Sequence, residues 1–176
     1  MPRCDGSADV VTARLLVVQH TPTATVGRLA DAVLAGTRDE AIEGVEVVVR
    51  QALEATAEDV LAADGYLLGT PANFGYMSGA LKHFFDTVFL RVGGALSDDG
   101  SGTGGSGGTA GRPFGLWVHG RYDTAGAERS VLAITGALKW RQAANVLAVL
   151  GDPTDEHLAE AYDLGGTIAA LLSPGS

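Results

Sequence analysis

The sequence predicts a three-layer α/β domain, in which a five-stranded parallel sheet lies between helices on both faces. Short, largely uncharged apolar runs alternate with segments whose apolar residues recur every three or four positions. Such alternation implies parallel strands joined by right-handed crossovers. Loops rich in Gly, Pro and Thr follow several of the runs. Because open α/β sheets bind ligands at the carboxyl ends of their strands, we expect a site in these loops.

The first half of the chain contains three predicted strands and three predicted helices. The strands are Arg14–Gln19, Val45–Val49 and Gly65–Gly69. The helices are Val26–Leu34, Ala57–Ala63 and Met77–Leu90. In the third helix, apolar residues such as Leu81, Phe84 and Val88 fall on one face, which indicates a helix packed against the sheet. Thr70–Tyr76, with a proline and a glycine, is predicted to be a tight irregular loop between the third strand and this helix.

The second half begins with a change of composition. Residues 92–111 are about half glycine, with serine and threonine, so we expect a flexible insertion within the domain, with a mobile lid as the alternative. The pattern then resumes with strands Pro113–His119 and Ala143–Leu150 and helices Ala127–Leu138 and Thr154–Leu172. Asp152 before Pro153 is predicted to cap the last helix. Residues 13–176 are thus expected to form one domain after a loose tail at 1–12.

Composition excludes several classes of protein. The chain has 176 residues, 46% of them hydrophobic, which is enough for one sizeable core. A net charge of -9 argues against nucleic acid or an anionic membrane as a partner. No apolar run approaches the roughly 20 residues of a membrane span. The single cysteine, Cys4, and the absence of a visible secretory signal predict a cytoplasmic protein.

The most specific motif runs from Gly69 to Asp86, GTPANFGYMSGALKHFFD. It resembles the second flavin-contacting loop and following helix of the flavodoxin-like superfamily. The match is to the pattern Gly-[Ser/Thr]-Pro-x-x-[Phe/Tyr]-Gly-x-Met of NAD(P)H-dependent FMN reductases and of quinone oxidoreductases of the tryptophan-repressor-binding-protein type. The helix that follows carries the basic residue, aromatic and Asp of the same families, here Lys82, Phe84 or Phe85, and Asp86.

The resemblance implies the flavodoxin-like strand order 2-1-3-4-5, noncovalently bound FMN and NAD(P)H as the reductant. Hydride would pass through flavin N5 to a quinone or a second flavin, so no side chain is needed as a catalytic acid or base. A redox protein is the alternative acceptor. In related reductases the helix after the loop forms a homodimer contact, which would place Phe85 and Phe89 at an interface. Lys82 and His83 are expected to be solvated.

The first predicted binding loop follows the first strand. A strand, a hydroxyl-rich turn and a helix start make an anion site, because free N–H groups and the helix dipole point at the ligand. By resemblance this loop holds the FMN phosphate, with Thr21 and Thr23 at the first two hydroxyl positions. Ala24, Thr25 and Val26 replace the family's Gly-Asn-Thr, and Thr25 is the candidate helix cap. The predicted contacts are His20, Thr21, Thr23, Thr25 and Val26; an ordinary strand–helix turn is the alternative.

The second and third predicted loops hold the flavin ring. Aromatic and amide groups offer a flat surface and a polar handle, and Gly75 allows close backbone approach. By resemblance, the N–H groups of Asn73 to Gly75 lie near N5 and O4 of the ring. In the third loop, Tyr122 could stack on the ring and Arg121 could stabilise charge at N1–O2. The predicted contacts are Pro71, Ala72, Asn73, Phe74, Gly75, Tyr76, His119, Gly120, Arg121 and Tyr122. The alternatives are aromatics tucked into the core and, for His119, a structural role.

Other chemistries lack a motif. The chain has no cysteine pair and no His-x-x-x-His, so no metal site is predicted. Glycine patterns within 100–111 are preceded by no strand, so they are not a dinucleotide fingerprint. Besides the reductase, two functions stay open: an electron carrier of the flavodoxin kind, and a flavin-free scaffold for regulation or interaction. The flavin-free scaffold stays open because the predicted phosphate loop departs from the family's pattern.

Overall fold

The computed structural model describes residues 12–96, 99, 102–104 and 108–175. The predicted tail, with Cys4, lies almost wholly outside these residues, as do parts of the glycine-rich segment. One parallel sheet organises the domain, in the order β2-β1-β3-β7 with β8 and β9 both pairing with β7. Its strands are β1 (Ala13–Gln19), β2 (Val45–Gln51), β3 (Gly65–Asn73), β7 (Pro113–Gly120), β8 (Arg141–Gln142) and β9 (Leu147–Leu150). The predicted fold and strand order are therefore confirmed.

Helices cover both faces of this sheet. They are α1 (Ala24–Gly36), α2 (Ala57–Ala62), α3 (Gly79–Val88), α4 (Ala125–Ala137) and α5 (Asp155–Ala170). Alternate residues of the central strands β1, β3 and β7 belong to two separate cores, since successive side chains point to opposite faces. Leu15 and Val17 pack with α1 and α5, whereas Leu16 and Val18 pack with α2, α3 and α4.

Two predicted strands differ from their observed bounds by more than two residues. β3 runs to Asn73 and turns back into β4 (Tyr76–Met77), so Thr70–Tyr76 is a hairpin and not an irregular loop. β1 pairs with β3 only as far as Gly69, which leaves Pro71 without a partner on β1 and allows a proline within the strand. The last predicted strand, Ala143–Leu150, begins later in the structure, as β9, and β8 precedes the predicted range as a separate short strand.

Helix caps also differ from the sequence-based predictions. Thr154, not Asp152, caps α5, and its hydroxyl accepts a hydrogen bond from the N–H of His157 at 3.3 Å. Thr23, not Thr25, caps α1, and its hydroxyl accepts from Val26 N at 3.4 Å. In both cases the hydroxyl lies three residues before the N–H that it binds, as a helix N-cap requires.

The glycine-rich segment begins and ends at the amino-terminal edge of the sheet, since α3 has crossed to that edge and β7 starts there. Its described residues include a two-stranded hairpin of β5 (Gly94–Leu96) and β6 (Gly102–Gly104). The Phe89 ring packs against Gly94. The described residues thus lie away from the loops at the carboxyl edge, which argues against the lid. Flexibility of the segment stays a prediction.

A buried aromatic network closes the same amino-terminal edge. Tyr66 stacks on Trp140 with ring centroids 3.9 Å apart. The Tyr66 hydroxyl donates to Val60 O at 2.9 Å and accepts from Arg112 at 3.1 Å. Trp140 Nε1 donates to Thr109 Oγ1 at 3.0 Å, and Thr109 donates in turn to the Val92 carbonyl at 2.8 Å. The polar atoms of this network therefore satisfy one another.

Arg112 joins the network to α2. Its guanidinium donates to the carbonyls of Val60 and Leu61, at 2.9 and 3.0 Å, and to that of Ala63. A cation at this position complements the negative end of the helix dipole and occupies carbonyls that lack helical partners.

No helix in the described part of the chain is long and apolar enough to cross a membrane.

Candidate functional site

The carboxyl ends of β1, β3 and β7 lie side by side at one edge of the sheet. Gln19 pairs with Gly69, and Gly69 pairs with Trp117. His20 N donates to Gly69 O at 3.0 Å, so the first predicted loop leaves directly beside β3. The three loops predicted from the sequence therefore start from adjacent strands.

The turn between β3 and β4 holds an exposed aromatic side chain in a strained conformation. Phe74 and Gly75 both have positive φ, 51° and 76°, as a type I′ hairpin turn requires. Glycine adopts this conformation freely, but a bulky residue such as Phe does so at a cost of about 1–3 kcal/mol. The Phe74 side chain is fully exposed. Neither the strain nor the exposure serves packing, and both are features of ligand sites.

Buried hydroxyls hold this hairpin in place. Thr70, fully buried, donates to Pro71 O at 2.8 Å and accepts from Ser78 N at 3.0 Å. Ser78 is the N-cap of α3, and its hydroxyl accepts from Leu81 N at 3.2 Å. The turn is therefore fixed at both ends, by β3 on one side and by the start of α3 on the other.

The loop after β7 contacts the hairpin turn directly. A Cβ atom at Gly126 would overlap the carbonyl oxygen of Gly75, so glycine at 126 is required for the two backbones to approach. Asp123 lies near Gly75 as well, and its carboxylate accepts from Ala125 N at 3.0 Å at the start of α4. The second and third loops thus form one packed unit.

An open depression of about 530 Å³ lies between these two loops. It is lined by Ala72, Asn73, Phe74, Gly75, Arg121, Tyr122 and Asp123. Tyr122 is 91% exposed, and Tyr76, on β4, is 45% exposed. Arg121 forms an exposed ion pair with Asp152 at 3.3 Å, which contributes at most about 1 kcal/mol and leaves the cation available.

The first predicted loop flanks the depression without lining it. Thr21 Oγ1 accepts from Gln51 Nε2 at 3.5 Å, and Thr23 is occupied by its cap. Among the described residues, no acceptor binds the backbone N–H groups of Ala24 or Thr25, in the first turn of α1. Free amides at a helix N-terminus after a strand suit an anionic group, so the loop fits the phosphate of FMN although the hydroxyls of Thr21 and Thr23 are used locally.

The predicted site residues fall into three groups. Ala72, Asn73, Phe74, Gly75, Arg121 and Tyr122 come together around the depression. His20, Thr21, Thr23, Thr25, Tyr76 and Gly120 lie at the same edge without lining it. Val26 and Pro71 are buried, and His119 is bound through Nε2, which donates to Gly151 O at 2.7 Å. His119 thus has the structural role that the sequence analysis gave as the alternative to a flavin contact.

Sequence reasoning missed Asp123, Gly126 and the Thr70–Ser78 pair as residues that build the site. Asp123 precedes a helix start by two residues, a spacing that suits a carboxylate binding the first N–H groups of a helix, so it could have been found. Gly126 could not, because its role depends on a backbone 51 residues away in sequence.

The helix after the hairpin shows one difference from expectation. Phe85 is buried in the domain's own core beside Phe84, so it is not free to form an interface. Phe89 is half-buried. Lys82 is paired with Asp86 at 2.6 Å on the exposed side. In the part of the chain that the structure describes, no three His, Cys, Asp or Glu residues cluster in a way that could hold a metal ion.

Comparison with known proteins places these features in a family. The profile of the NADPH-dependent FMN reductase family matches residues 10–152. The chain is 43% identical over 75 residues to a protein of Aquifex aeolicus named flavodoxin, covering 43% of this chain and 40% of that one. It is 30% identical over 108 residues to an NAD(P)H dehydrogenase (quinone) of Syntrophobacter fumaroxidans, covering 47% of this chain and 52% of that one. The chain thus spans about half the length of these curated relatives.

Solved structures share the fold at low sequence identity. A flavodoxin from the domain Archaea superimposes with a TM-score of 0.71 at 16% identity, over 90% of this chain and 98% of that one. A WrbA-like flavodoxin from Agrobacterium tumefaciens gives 0.66 at 15% identity, over 92% and 98%. The family profile covers most of the chain, including all three loops of the candidate site. The chain therefore belongs to the NADPH-dependent FMN reductase family.

Proposed function

We propose that the protein binds FMN noncovalently at the depression between the two packed loops and catalyses NAD(P)H-dependent reduction of FMN or quinones. The observation that carries the proposal is the pair of exposed aromatic side chains, Phe74 and Tyr122, on either loop of one open depression. Membership of the family and the flat, apolar character of this surface both support an isoalloxazine ring as its ligand.

The residues of the chain have separate parts in this function. Bound FMN supplies the centre that accepts hydride from NAD(P)H and passes it to the acceptor, with a proton taken from water when the acceptor is a quinone. Phe74 and Tyr122 cover the ring and exclude water. The backbone of Asn73 to Gly75 binds its polar edge, and the free amides at the start of α1 bind the phosphate. Because the depression is open, a second flat molecule can approach the ring.

A second candidate function is electron transfer without turnover of its own. The observation that favours it is the 43% identity over 75 residues to the Aquifex protein named flavodoxin. A net charge of -9 suits docking to a basic redox partner. The two functions differ in whether NAD(P)H alone reduces the bound flavin.

An absorption spectrum tests the proposal. The purified protein is incubated with FMN, desalted and then titrated anaerobically with NADPH and with NADH. Retained flavin bands that bleach with either nucleotide agree with the reductase, and bands that bleach only with dithionite indicate the carrier. If no flavin is retained and FMN fluorescence is not quenched on titration, the flavin site is disproved and the scaffold is favoured.

Two variants locate the flavin. Replacing Tyr122 by Ala is expected to weaken FMN binding by about tenfold or more, the effect of one stacked aromatic. Tyr162→Ala, which removes another exposed tyrosine on α5, is the matched control and should leave FMN affinity unchanged. Equal affinity in the Tyr122 variant and the parent would place the flavin elsewhere.

The proposal extends to a homodimer in the cytoplasm. A groove of about 380 Å³ between α3 and α4, with Phe89, Leu96 and Ile134 in its lining, offers an apolar surface for a second copy. The single cysteine suits a reducing compartment. Sedimentation equilibrium of the parent and of a Leu96→Glu variant tests the dimer; a monomeric parent would contradict it.

A further inference from the structure

Two buried side-chain atoms in the described part of the chain have no hydrogen-bond partner: Gln19 Oε1 and Trp117 Nε1. Other buried polar side chains, such as Thr109 and Thr135, are hydrogen-bonded within the protein. A buried polar atom without a partner is unfavourable and rare in folded proteins, so each of the two requires an explanation. One is an acceptor and the other a donor.

The two atoms lie in the same layer of the structure. Gln19 and Trp117 occupy the same register position on either side of Gly69, on β1 and β7. Both side chains point to the face covered by α1 and α5, because they alternate with Val18 and Val118 on the opposite face. Gly69 makes this neighbourhood possible, since a Cβ there would overlap Cε2 of Trp117, the ring carbon bonded to Nε1.

This layer lies directly beneath the candidate site. His20 follows Gln19 and begins the first loop, and His119 stands two residues beyond Trp117 at the start of the third. Of the two side chains, Trp117 is fully buried, whereas Gln19 keeps 7% of its surface exposed. The Gln19 amide, at the end of β1, is therefore the part of the pair that a ligand at the first loop would meet first.

A hydroxyl group matches the pair chemically. An indole N–H can only donate, and the Gln19 carbonyl oxygen can only accept. A phosphate oxygen satisfies the first but not the second, and an aromatic ring satisfies neither. A hydroxyl accepts from Trp117 and donates to Gln19 at the same time. The sugar-alcohol chain that links the ring of FMN to its phosphate carries such hydroxyls.

We propose that Gln19 and Trp117 bind a hydroxyl of the ribityl chain of the flavin, an inference that rests on the proposed function. The pair provides recognition between the ring site and the phosphate site, beneath the loop in which Ala24 and Val26 replace the family's Gly and Thr. It makes riboflavin as well as FMN a ligand, because the recognised group is present in both.

Binding of three flavins tests this assignment. Dissociation constants for FMN, riboflavin and lumiflavin, which lacks the ribityl chain, are measured by quenching of flavin fluorescence in the parent, in Trp117→Phe and in Gln19→Met. Both substitutions remove the polar atom; Gln19→Met keeps a similar shape, whereas Trp117→Phe also leaves a cavity because phenylalanine is smaller than tryptophan. Each should weaken FMN and riboflavin by about tenfold, as expected for one lost hydrogen bond, and leave lumiflavin unchanged.

The other tryptophan provides the matched control. Trp140 Nε1 is already paired with Thr109 within the protein, so Trp140→Phe should lower the stability to urea and leave the three dissociation constants unchanged. Trp117→Phe loses no internal hydrogen bond but leaves a cavity in the core, as Trp140→Phe does, so both variants should lose stability and only Trp117→Phe should lose flavin affinity.

Three results would overturn the assignment. Unchanged affinities in both variants would mean that the pair is internal to the protein, and equal weakening of all three flavins would mean that the ring and not the chain is affected. Either result leaves the proposed function intact. A parent protein that binds none of the three flavins would overturn both proposals together.

Discussion

Aromatic residues at the two edges of the sheet are used in opposite ways. At the amino-terminal edge, Tyr66 and Trp140 are stacked and buried, and their polar atoms are all bonded within the protein. At the carboxyl-terminal edge, Phe74 and Tyr122 are exposed, and Phe74 has an unfavourable backbone conformation. The amino-terminal edge contributes to stability, and the carboxyl-terminal edge offers exposed aromatic surface to a ligand. We therefore expect substitutions at the first edge to change stability and substitutions at the second to change flavin binding.

The largest expected effect is the alkaline instability caused by Tyr66. Burial raises the pKa of Tyr66 to about 12, although the hydrogen bond from Arg112 opposes the rise. The unfolded chain loses the proton near pH 10, so the stabilisation is complete below pH 10 and disappears as the pH rises through 12. The parent should lose about 2–3 kcal/mol of unfolding free energy between these values.

Urea unfolding at several pH values measures this loss. Tyr66→Phe should be less stable at pH 8, by about 1–2 kcal/mol for the lost hydrogen bonds, but should show a shallower decline above pH 10. Tyr122→Phe, at the exposed edge, is the control and should follow the parent curve. Parallel curves for the parent and the Tyr66 variant would contradict the assignment.

The next effect concerns the contact between the two site loops. In Gly126→Ala the new methyl group meets the carbonyl of Gly75, so the hairpin turn must move, at a cost of about 1–3 kcal/mol. FMN affinity should fall as well, because the turn presents Phe74. Gly136→Ala lies on the same helix with open space around it, and should leave affinity unchanged while raising stability by up to about 1 kcal/mol.

Both variants replace a glycine by alanine on the same helix. A difference between them therefore reports where the glycine lies and not the loss of glycine itself. Thermal unfolding and FMN titration of both variants give the comparison. Similar behaviour of the two would show that the Gly75–Gly126 approach has no part in forming the site.

The smallest effect, and the sharpest contrast, is expected at Phe74. Asn and Gly are the preferred pair in a type I′ turn, so Phe74→Asn should stabilise the protein by about 1 kcal/mol while weakening FMN binding. Urea unfolding and fluorescence titration measure the two quantities. A variant that is less stable than the parent would mean that the phenyl ring contributes to packing and that its exposure does not reflect a binding role.

The fold could be predicted from the sequence because the buried core residues form the recurring pattern of strands and helices. Uncharged runs such as Leu15–Val18 specify strands buried on both faces, and the structure confirms their order. The sequence predicts an irregular loop where the structure has the hairpin turn at Phe74–Gly75, because a proline such as Pro71 usually ends a strand. It is tolerated here only because β1 stops at Gly69, which is a tertiary fact that local sequence does not contain.

The site was predictable in position but not in construction. The motif from Gly69 to Asp86 indicated the second loop, and parallel strand order brought the third loop beside it. The assignment of FMN contacts stays a prediction. What could not be foreseen is which groups are already used: Thr23 caps α1, His119 binds Gly151, and Gly126 makes room for Gly75. Each depends on residues that meet only after folding.

The hydrogen bond between Thr109 and the Val92 carbonyl has a consequence for how this protein could be modified. It joins the two ends of the glycine-rich segment at their base, and the described residues between them lie on the side opposite to the candidate site. Closing a longer loop at a fixed base costs only about 0.6 kcal/mol for each doubling of its length. We therefore expect a peptide tag, a fluorescent reporter or a second protein inserted in this segment to leave the loops of the candidate site intact.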